Sequence, residues 1–115
     1  MQQPNHGSLL AQHVAIDAVR LLRPLVERIH CHDRNLADQL KRAASSVVLN
    51  LAAAAYNNGG HRRSRLESAR GSANEARAAL SLAVAWGYTG EEHALEIDAL
   101  YDRVLALTYR LWVRA

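Results

Sequence analysis

The chain has 115 residues, half of them apolar, with two Trp, four Tyr, no Phe and a formal net charge of +3. This length fits one domain with a single core, and apolar residues drawn mainly from Ala and Leu favour helices and exclude an extensive sheet. A single cysteine, Cys31, excludes an internal disulfide, and no stretch reaches the roughly 18 apolar residues of a membrane span. Because the N-terminal sequence also lacks the pattern of a secretory signal, we expect a cytoplasmic, nearly all-α protein.

The first predicted helix covers Leu9 to His30 and follows a loose tail over residues 1–7. Ser8 is its expected N-cap. Its apolar positions recur every three or four residues, at Leu10, Val14, Ala18, Leu21, Leu25 and Ile29. Pro24 lies inside this pattern, and because the apolar phase resumes after it, we expect a bend near Leu21 to Pro24 and a helix that continues.

The segment after this helix, His30-Cys31-His32-Asp33, contains only side-chain types that bind zinc. A tetrahedral site would need further ligands at metal spacing, and the remaining histidines are isolated in the sequence. We therefore expect a polar turn in which Asp33 or Asn35 caps the second helix, and we assign no metal ligand and no cofactor.

The second predicted helix begins near Leu36 and ends at about Tyr56, and it contains neither Gly nor Pro. Its apolar seam consists of Leu36, Leu40, Ala43, Val47, Leu51 and Ala54. Further apolar residues widen the surface to both sides: Ala44, Val48, Leu49 and Ala55. This pattern predicts a central helix that is covered on more than one side, by its own chain and by a second subunit.

A turn at Asn57 to Gly60 and an arginine-rich loop, His61-Arg62-Arg63-Ser64-Arg65, are predicted to follow. The third helix then has a seam made largely of alanine: Leu66, Ala69, Ala73, Ala76, Leu80 and Ala83, closing at Trp86. Small seam residues predict close packing against a neighbouring helix, and Gly71 is expected to permit still closer contact.

The fourth predicted helix opens with Thr89 and Glu92, which have the spacing of a capping box. Its seam is Ile97, Leu100, Val104, Leu107 and Leu111, with Tyr101, Leu105, Tyr109 and Trp112 broadening the apolar face. Four helices of about twenty residues joined by short turns predict an all-α, up-down-up-down antiparallel four-helix bundle over residues 8–115.

Charge is unevenly distributed along the chain. From Lys41 to Arg77 there are seven cations and two acids, whereas the stretch from Glu91 to Asp102 has five acids and no Lys or Arg. This pattern has three interpretations that the residues alone leave open: ordinary solvated helix faces, a patch that binds phosphate backbones, or basic and acidic surfaces of neighbouring subunits that dock together.

The specific motifs lie in the second and third predicted helices: Gln39-Leu40-Lys41-Arg42-Ala43-Ala44, the Ser46 to Asn50 block, Gly71-Ser72-x-x-Glu75, and Gly87-Tyr88. In these motifs the chain resembles the four-helix-bundle family of proteins encoded in intervening sequences of bacterial large-subunit ribosomal RNA genes. That family is similar to the accessory variability determinant of diversity-generating retroelements. The chain departs from the frequent family form at Val48, where Pro is common, and at Ala53-Ala54, where Glu-Gly is common.

The resemblance implies a bundle that assembles into a homopentameric ring or barrel with a basic surface and no known catalysis. It also implies partners, since the retroelement members bind nucleic acid and a reverse transcriptase. The residues themselves contain no Gly-rich phosphate loop, no HExxH and no recognisable nucleophile motif, so we do not expect an enzyme.

Two functional hypotheses follow. In the first, the chain is a nucleic-acid-binding accessory protein whose cations contact phosphates without reading sequence: Arg62, Arg63 and Arg65 of the loop, with Lys41, Arg42, Arg70 and Arg77. In the second, it is an oligomeric interaction scaffold whose charges serve subunit docking. Because few aromatic residues fall outside the predicted core, base stacking has little support from the sequence.

Overall fold

The computed structural model describes residues 6–115, which form four helices. They are α1 (His6–His32), α2 (Arg34–Ala55), α3 (Gly59–Ala85) and α4 (Glu91–Arg114). Each helix packs against its neighbours in chain order, and α1 also packs against α4. Because the three connections contain only one, three and five residues, consecutive helices run antiparallel. The predicted up-down-up-down bundle is confirmed, with extents of 46 × 22 × 19 Å.

The apolar seam of α2 is also confirmed, whereas α2 is no more central than the other helices, because each helix packs against two neighbours. All six residues of its predicted seam are buried, together with Ala37, Ala44 and Ala55. Asp33 is the N-cap, as expected, and its side chain accepts a hydrogen bond from the Leu36 amide at 3.0 Å. Such a cap satisfies one of the amides that have no partner inside the helix.

The start of α1 differs from the prediction. The chain is already helical at His6, so Ser8 is not an N-cap but a buried residue inside the helix. The remaining part of the expected tail, residues 1–5, lies outside the described residues. Pro24 lies within the continuous helix, as expected, and the bend there stays a prediction. Leu22, rather than Leu21, enters the core, and Leu10 is exposed.

The predicted arginine-rich loop is wrong, because α3 begins at Gly59 and residues 61–65 form its first turns. The chain turns back at Asn57, whose side-chain amide donates to the Ala53 carbonyl, and Asn58 is the extended N-cap residue. Gly59 has a φ of +55°, a conformation that suits glycine. The two glycines therefore open a helix instead of ending the ordered structure.

The small-residue seam of α3 is confirmed, since Leu66, Ala69, Ala73, Ala76, Leu80 and Ala83 are all buried. Two expectations beside it are wrong. Trp86 does not close the seam but is 65% exposed. Gly71 faces open space, with no heavy atom within 4 Å of where a Cβ would lie, so it permits no closer helix contact within the bundle.

The start and the packing phase of α4 also differ from the prediction. Gly90 is the N-cap, no side chain caps the helix, and Thr89 is buried, so the Thr89–Glu92 capping box is wrong. The most buried positions are Ile97, Tyr101, Val104 and Thr108, whereas Leu100, Leu107 and Leu111 are half-buried. Thr108 can face the core because its hydroxyl donates to the Leu105 carbonyl at 3.0 Å.

Among the described helices, none combines the length and the apolar character needed to cross a membrane.

Candidate nucleic-acid interface

The bundle has a basic end and an acidic end. The basic end comprises residues 6–19, 45–72 and 103–115, and it holds seven arginines and two carboxylates. The acidic end comprises residues 20–44 and 73–102, and it holds seven cations and nine carboxylates. The excess of five positive charges at one end exceeds the net charge of the whole chain, +3, so the field of the molecule is strongly polarised.

Three arginines in the first two turns of α3 are held by different neighbours. Arg62 Nε donates to the Ala54 carbonyl at 3.2 Å, at the end of α2. Arg63 lies over the Trp112 ring, with its guanidinium carbon 4.5 Å from the ring centre. Arg65 Nη1 lies 3.5 Å from Asn50 Oδ1. None of the ion pairs within residues 6–115 involves these three side chains, so their charges are not cancelled by carboxylates.

Their position also makes this region favourable for an anion. The amide end of a helix carries a partial positive charge, which cations in the first turn reinforce. No acidic residue lies in the first turn of α3, and no side chain caps it. Among the described residues no side chain caps the amides of Gly59 and Gly60, and both glycines are open to solvent.

A groove between α2 and α3 brings three of the predicted cations together. Lys41 and Arg42 reach it from α2 and Arg65 from α3, and all three are exposed. We call this feature the α2–α3 groove, and its lining residues are Lys41, Arg42, Ser45, Ser46, Leu49, Asn50 and Arg65. The lining contains no carboxylate, so an anion in the groove meets only positive or neutral groups.

A short chain of hydrogen bonds connects α2 and α3 through two lining residues of this groove, Ser46 and Asn50. Ser72 Oγ of α3 donates to Ser46 Oγ of α2 at 2.8 Å. The side-chain amide of Asn50 donates to the Ser46 carbonyl at 2.9 Å and to its hydroxyl at 3.0 Å. Because the Asn50 amide oxygen faces Arg65, this chain links the α2–α3 contact to the position of the guanidinium. The Ser46 to Asn50 and Gly71-Ser72 motifs thus meet at one place in the fold.

Arg77 does not join this cluster. It forms a bidentate ion pair with Asp98 of α4, at 2.7 and 3.0 Å, and lies 3.9 Å from Asp102. Hydrogen bonding to Asp98, more than the charges of the two carboxylates, raises the pKa of Arg77 above its usual range. Its charge is compensated within the fold, at the acidic end.

The basic end has a second feature, on the opposite side of α3, that was not predicted from the sequence. Arg63, Glu67 and Arg70 of α3 face Tyr109 and Trp112 of α4, and we call these five residues the arginine–aromatic surface. The two aromatic rings are stacked with centres 6.4 Å apart, and Tyr109 is 52% exposed.

The contacts of this surface run in register along the two helices. Trp112 Nε1 donates to Glu67 Oε1 at 2.8 Å, and the Arg70 guanidinium carbon lies 5.4 Å from the centre of the Tyr109 ring. Arg63, Glu67 and Arg70 share one helix face only if the helix already includes residue 63. The spacing was therefore present in the sequence but was hidden by the prediction of a loop.

The His30 to Asp33 segment has structural roles. Asp33 caps α2, His32 stacks on Tyr88 with ring centres 5.2 Å apart, and the Cys31 thiol donates to the Glu27 carbonyl. Within residues 6–115 no three side chains of metal-binding type converge on one point.

Two comparisons with known proteins give matches. The model of a family described as 23S rRNA-intervening sequence protein matches residues 10–110. A crystal structure of a protein of unknown function from the S23 ribosomal protein family of Bacteroides thetaiotaomicron has the same fold, with a TM-score of 0.78. It is 17% identical, and the alignment covers 92% of this chain and 97% of that one. No match is found among curated proteins.

Proposed function

This chain belongs to the 23S rRNA-intervening sequence protein family, and from that membership we propose that it is a non-enzymatic accessory protein that binds nucleic acid with little sequence preference. The observation that carries the proposal is the α2–α3 groove. Three exposed cations from two helices line it, and no carboxylate competes with a bound phosphate.

The groove suits a phosphate backbone better than a small ligand. It is open along the helix surface, and its cations are long side chains that reach it from two helices, as contacts to more than one phosphate require. The uncapped amides at the start of α3 extend the positive potential toward the end of the bundle. Contacts of this kind position a polynucleotide without reading its bases, so we expect sequence-tolerant binding.

Self-association belongs to the same proposal. Large apolar side chains remain exposed away from the groove, among them Val19, Leu82 and Leu95. Burying such residues between copies would remove an adhesive surface from water. A closed homo-oligomer, a pentamer by family resemblance, would repeat the α2–α3 groove and raise its effective concentration toward one polyanion.

The test replaces the three groove cations together, as Lys41→Gln, Arg42→Gln and Arg65→Gln. We choose these in place of Arg62 and Arg63, because those two hold the end of α2 and cover Trp112. The control is Arg23→Gln, Arg28→Gln and Arg34→Gln, three exposed arginines of the acidic end whose replacement removes the same charge.

Affinity for a labelled oligonucleotide is measured by fluorescence anisotropy over a series of salt concentrations. The groove variant is expected to bind about tenfold more weakly or worse. The slope of log affinity against log salt concentration should be less steep by about 0.7 to 0.9 for each phosphate that the variant no longer neutralises. The control variant should change affinity far less.

No binding by the native chain at low salt would contradict the proposal. Equal reductions in affinity of the two variants would show that net charge alone, and not the groove, attracts the nucleic acid. The first result would favour the alternative function, an oligomeric interaction scaffold, and the second would overturn the groove as the binding site.

A further inference from the structure

The arginine–aromatic surface leads to an inference that rests on the proposed function and sharpens it. We infer that this surface is a subsite for unpaired bases, so that single-stranded nucleic acid is the preferred ligand. Phosphates would bind on one side of α3, in the α2–α3 groove, and a base would stack on Tyr109 on the other side.

The Tyr109 ring is partly open to a base, because its offset contact with Trp112 and the Arg70 guanidinium leave the residue 52% exposed. Tyr109 is half exposed near the end of the bundle, beside Arg110 and opposite Arg70. Every nucleobase has a flat π-face, and stacking it on an aromatic side chain stabilises single-strand complexes without demanding a particular base.

The rings of this surface already have partners within the fold before any ligand arrives. Trp112 is fixed by its hydrogen bond to Glu67 and by the Arg63 guanidinium above its ring. Tyr109 in turn stacks on Trp112 and lies under Arg70. Side chains that are already ordered lose little conformational freedom on binding, which favours affinity.

The surface is also complementary in charge to the phosphates of a nucleic acid. The carboxylate of this surface, Glu67, is engaged by the indole of Trp112, whereas Arg63 and Arg70 lie against neutral rings and keep their charge. A stacked base therefore brings its phosphate toward cations, as binding requires. A second copy of this chain would have to present an acidic surface here.

The outer face of α3 between the two sites is open. Ser64 and Gly71 lie on this face, and nothing comes within 4 Å of the position that a Gly71 Cβ would occupy. A strand could cross α3 closely at this point. A duplex could not use the subsite, because its bases are already stacked inside the helix and present only their edges.

The experiment compares three labelled ligands of equal length: a single-stranded oligothymidylate, an abasic strand with the same phosphates but no bases, and a duplex. The variants are Tyr109→Leu, which removes the ring, and Tyr109→Phe, which keeps it. Trp86→Leu is the matched control, because Trp86 is an exposed aromatic residue of the acidic end.

We expect the native chain to bind oligothymidylate more tightly than the abasic strand. Tyr109→Leu should weaken oligothymidylate binding by about 5- to 30-fold and leave the abasic strand and the duplex unchanged. Tyr109→Phe and Trp86→Leu should behave like the native chain. The salt dependence should not change in Tyr109→Leu, because the phosphate contacts remain.

Equal affinity of the native chain for oligothymidylate and the abasic strand would overturn the inference and leave the proposed function intact. A change in molecular mass of Tyr109→Leu by light scattering would overturn it as well, since the surface would then serve self-association. Failure of the native chain to bind any of the three ligands would refute the proposed function together with the inference.

Discussion

Arginines join α3 to α4 at both ends of the bundle, but their partners differ in kind. At the acidic end, Arg77 is held by two oxygens of Asp98. At the basic end, Arg63 and Arg70 lie over the rings of Trp112 and Tyr109. A carboxylate cancels the charge of a guanidinium, whereas an aromatic ring attracts it and leaves the charge in place. The same residue type can therefore join two helices and either lose or retain its attraction for an anion.

The cores beneath the two ends differ in a parallel way. Large residues fill the acidic end, including Leu22, Ile29, Leu40, Leu80 and Tyr101. Only two buried leucines of the described residues, Leu51 and Leu66, lie at the basic end, where valine and alanine make up the rest of the apolar core. Larger side chains bury more apolar area, so we expect the acidic end to contribute more of the stability. The end with the uncompensated charge is then also the end that opens more easily.

The largest expected effect concerns assembly. It tests whether the acidic end or the basic end joins the subunits. If the α2–α3 groove and the arginine–aromatic surface are free for nucleic acid, self-association should use exposed apolar residues away from both, such as Leu82 and Leu95 of the acidic end. We expect light scattering of the native chain at micromolar concentration to give a homo-oligomer. Leu95→Glu should dissociate it, because the charge would be buried between copies.

The matched control for assembly is Val113→Glu, at the basic end. Val113 is 57% exposed and Leu95 is 63% exposed, so the two changes are comparable for a monomer. A native chain that is monomeric would contradict the prediction of an oligomer. Dissociation by Val113→Glu alone would place the subunit contact at the basic end. The acidic end would then be the one left free.

A smaller effect is expected midway along α3, where the two ends meet. Ala73 is fully buried on the small-residue seam, so Ala73→Leu should overpack the core and lower the free energy of unfolding by about 1 to 3 kcal/mol. Urea denaturation measures the decrease. The control is Ala78→Leu at an exposed position of the same helix. Unchanged or higher stability of Ala73→Leu would mean that the contact between helices is looser than the seam indicates.

The smallest effect tests the two kinds of arginine contact directly. Asp98→Asn removes a charge from the partly exposed pair with Arg77 and should cost about 0.5 to 1 kcal/mol at low salt, and less as salt screens the native pair. Glu67→Gln is the comparison at the basic end. Its amide oxygen can still accept from Trp112, so its cost should be smaller and nearly independent of salt. Equal, salt-dependent destabilisation in both variants would show that the two ends do not differ in how their arginines are held.

Much of the fold was predictable because apolar spacing in two helices is unambiguous. The seams of α2 and α3 have one apolar phase each, and the structure buries all of the members named for α2 and all but Trp86 for α3. In α4 the apolar surface is broad, so spacing alone could not decide whether Leu100 or Tyr101 is buried in the core. Thr108 was missed because its hydroxyl is satisfied by its own helix, which sequence spacing does not reveal.

The candidate site was harder to predict, because it depends on contacts between helices. The Gly59-Gly60 pair indicated a break, but tertiary contacts hold the following residues in a helix, including that of Arg62 with the end of α2. Once residues 61–65 are helical, Arg65 faces Asn50 and joins Lys41 and Arg42. The residue types predicted a basic region. Only the packing of the helices shows that Arg77 pairs with a carboxylate and does not belong with the other cations.

The single-residue junction between α1 and α2 has a consequence for the order in which the chain folds. The amide of Asp33 donates to the Ile29 carbonyl, and its own carbonyl accepts from the Ala37 amide, so this residue ends one helix and begins the next. A connection this short adds almost no loop-closure entropy, so α1 and α2 should pair earliest. The α2–α3 groove would then form only when α3 docks, although one of its walls belongs to the first hairpin.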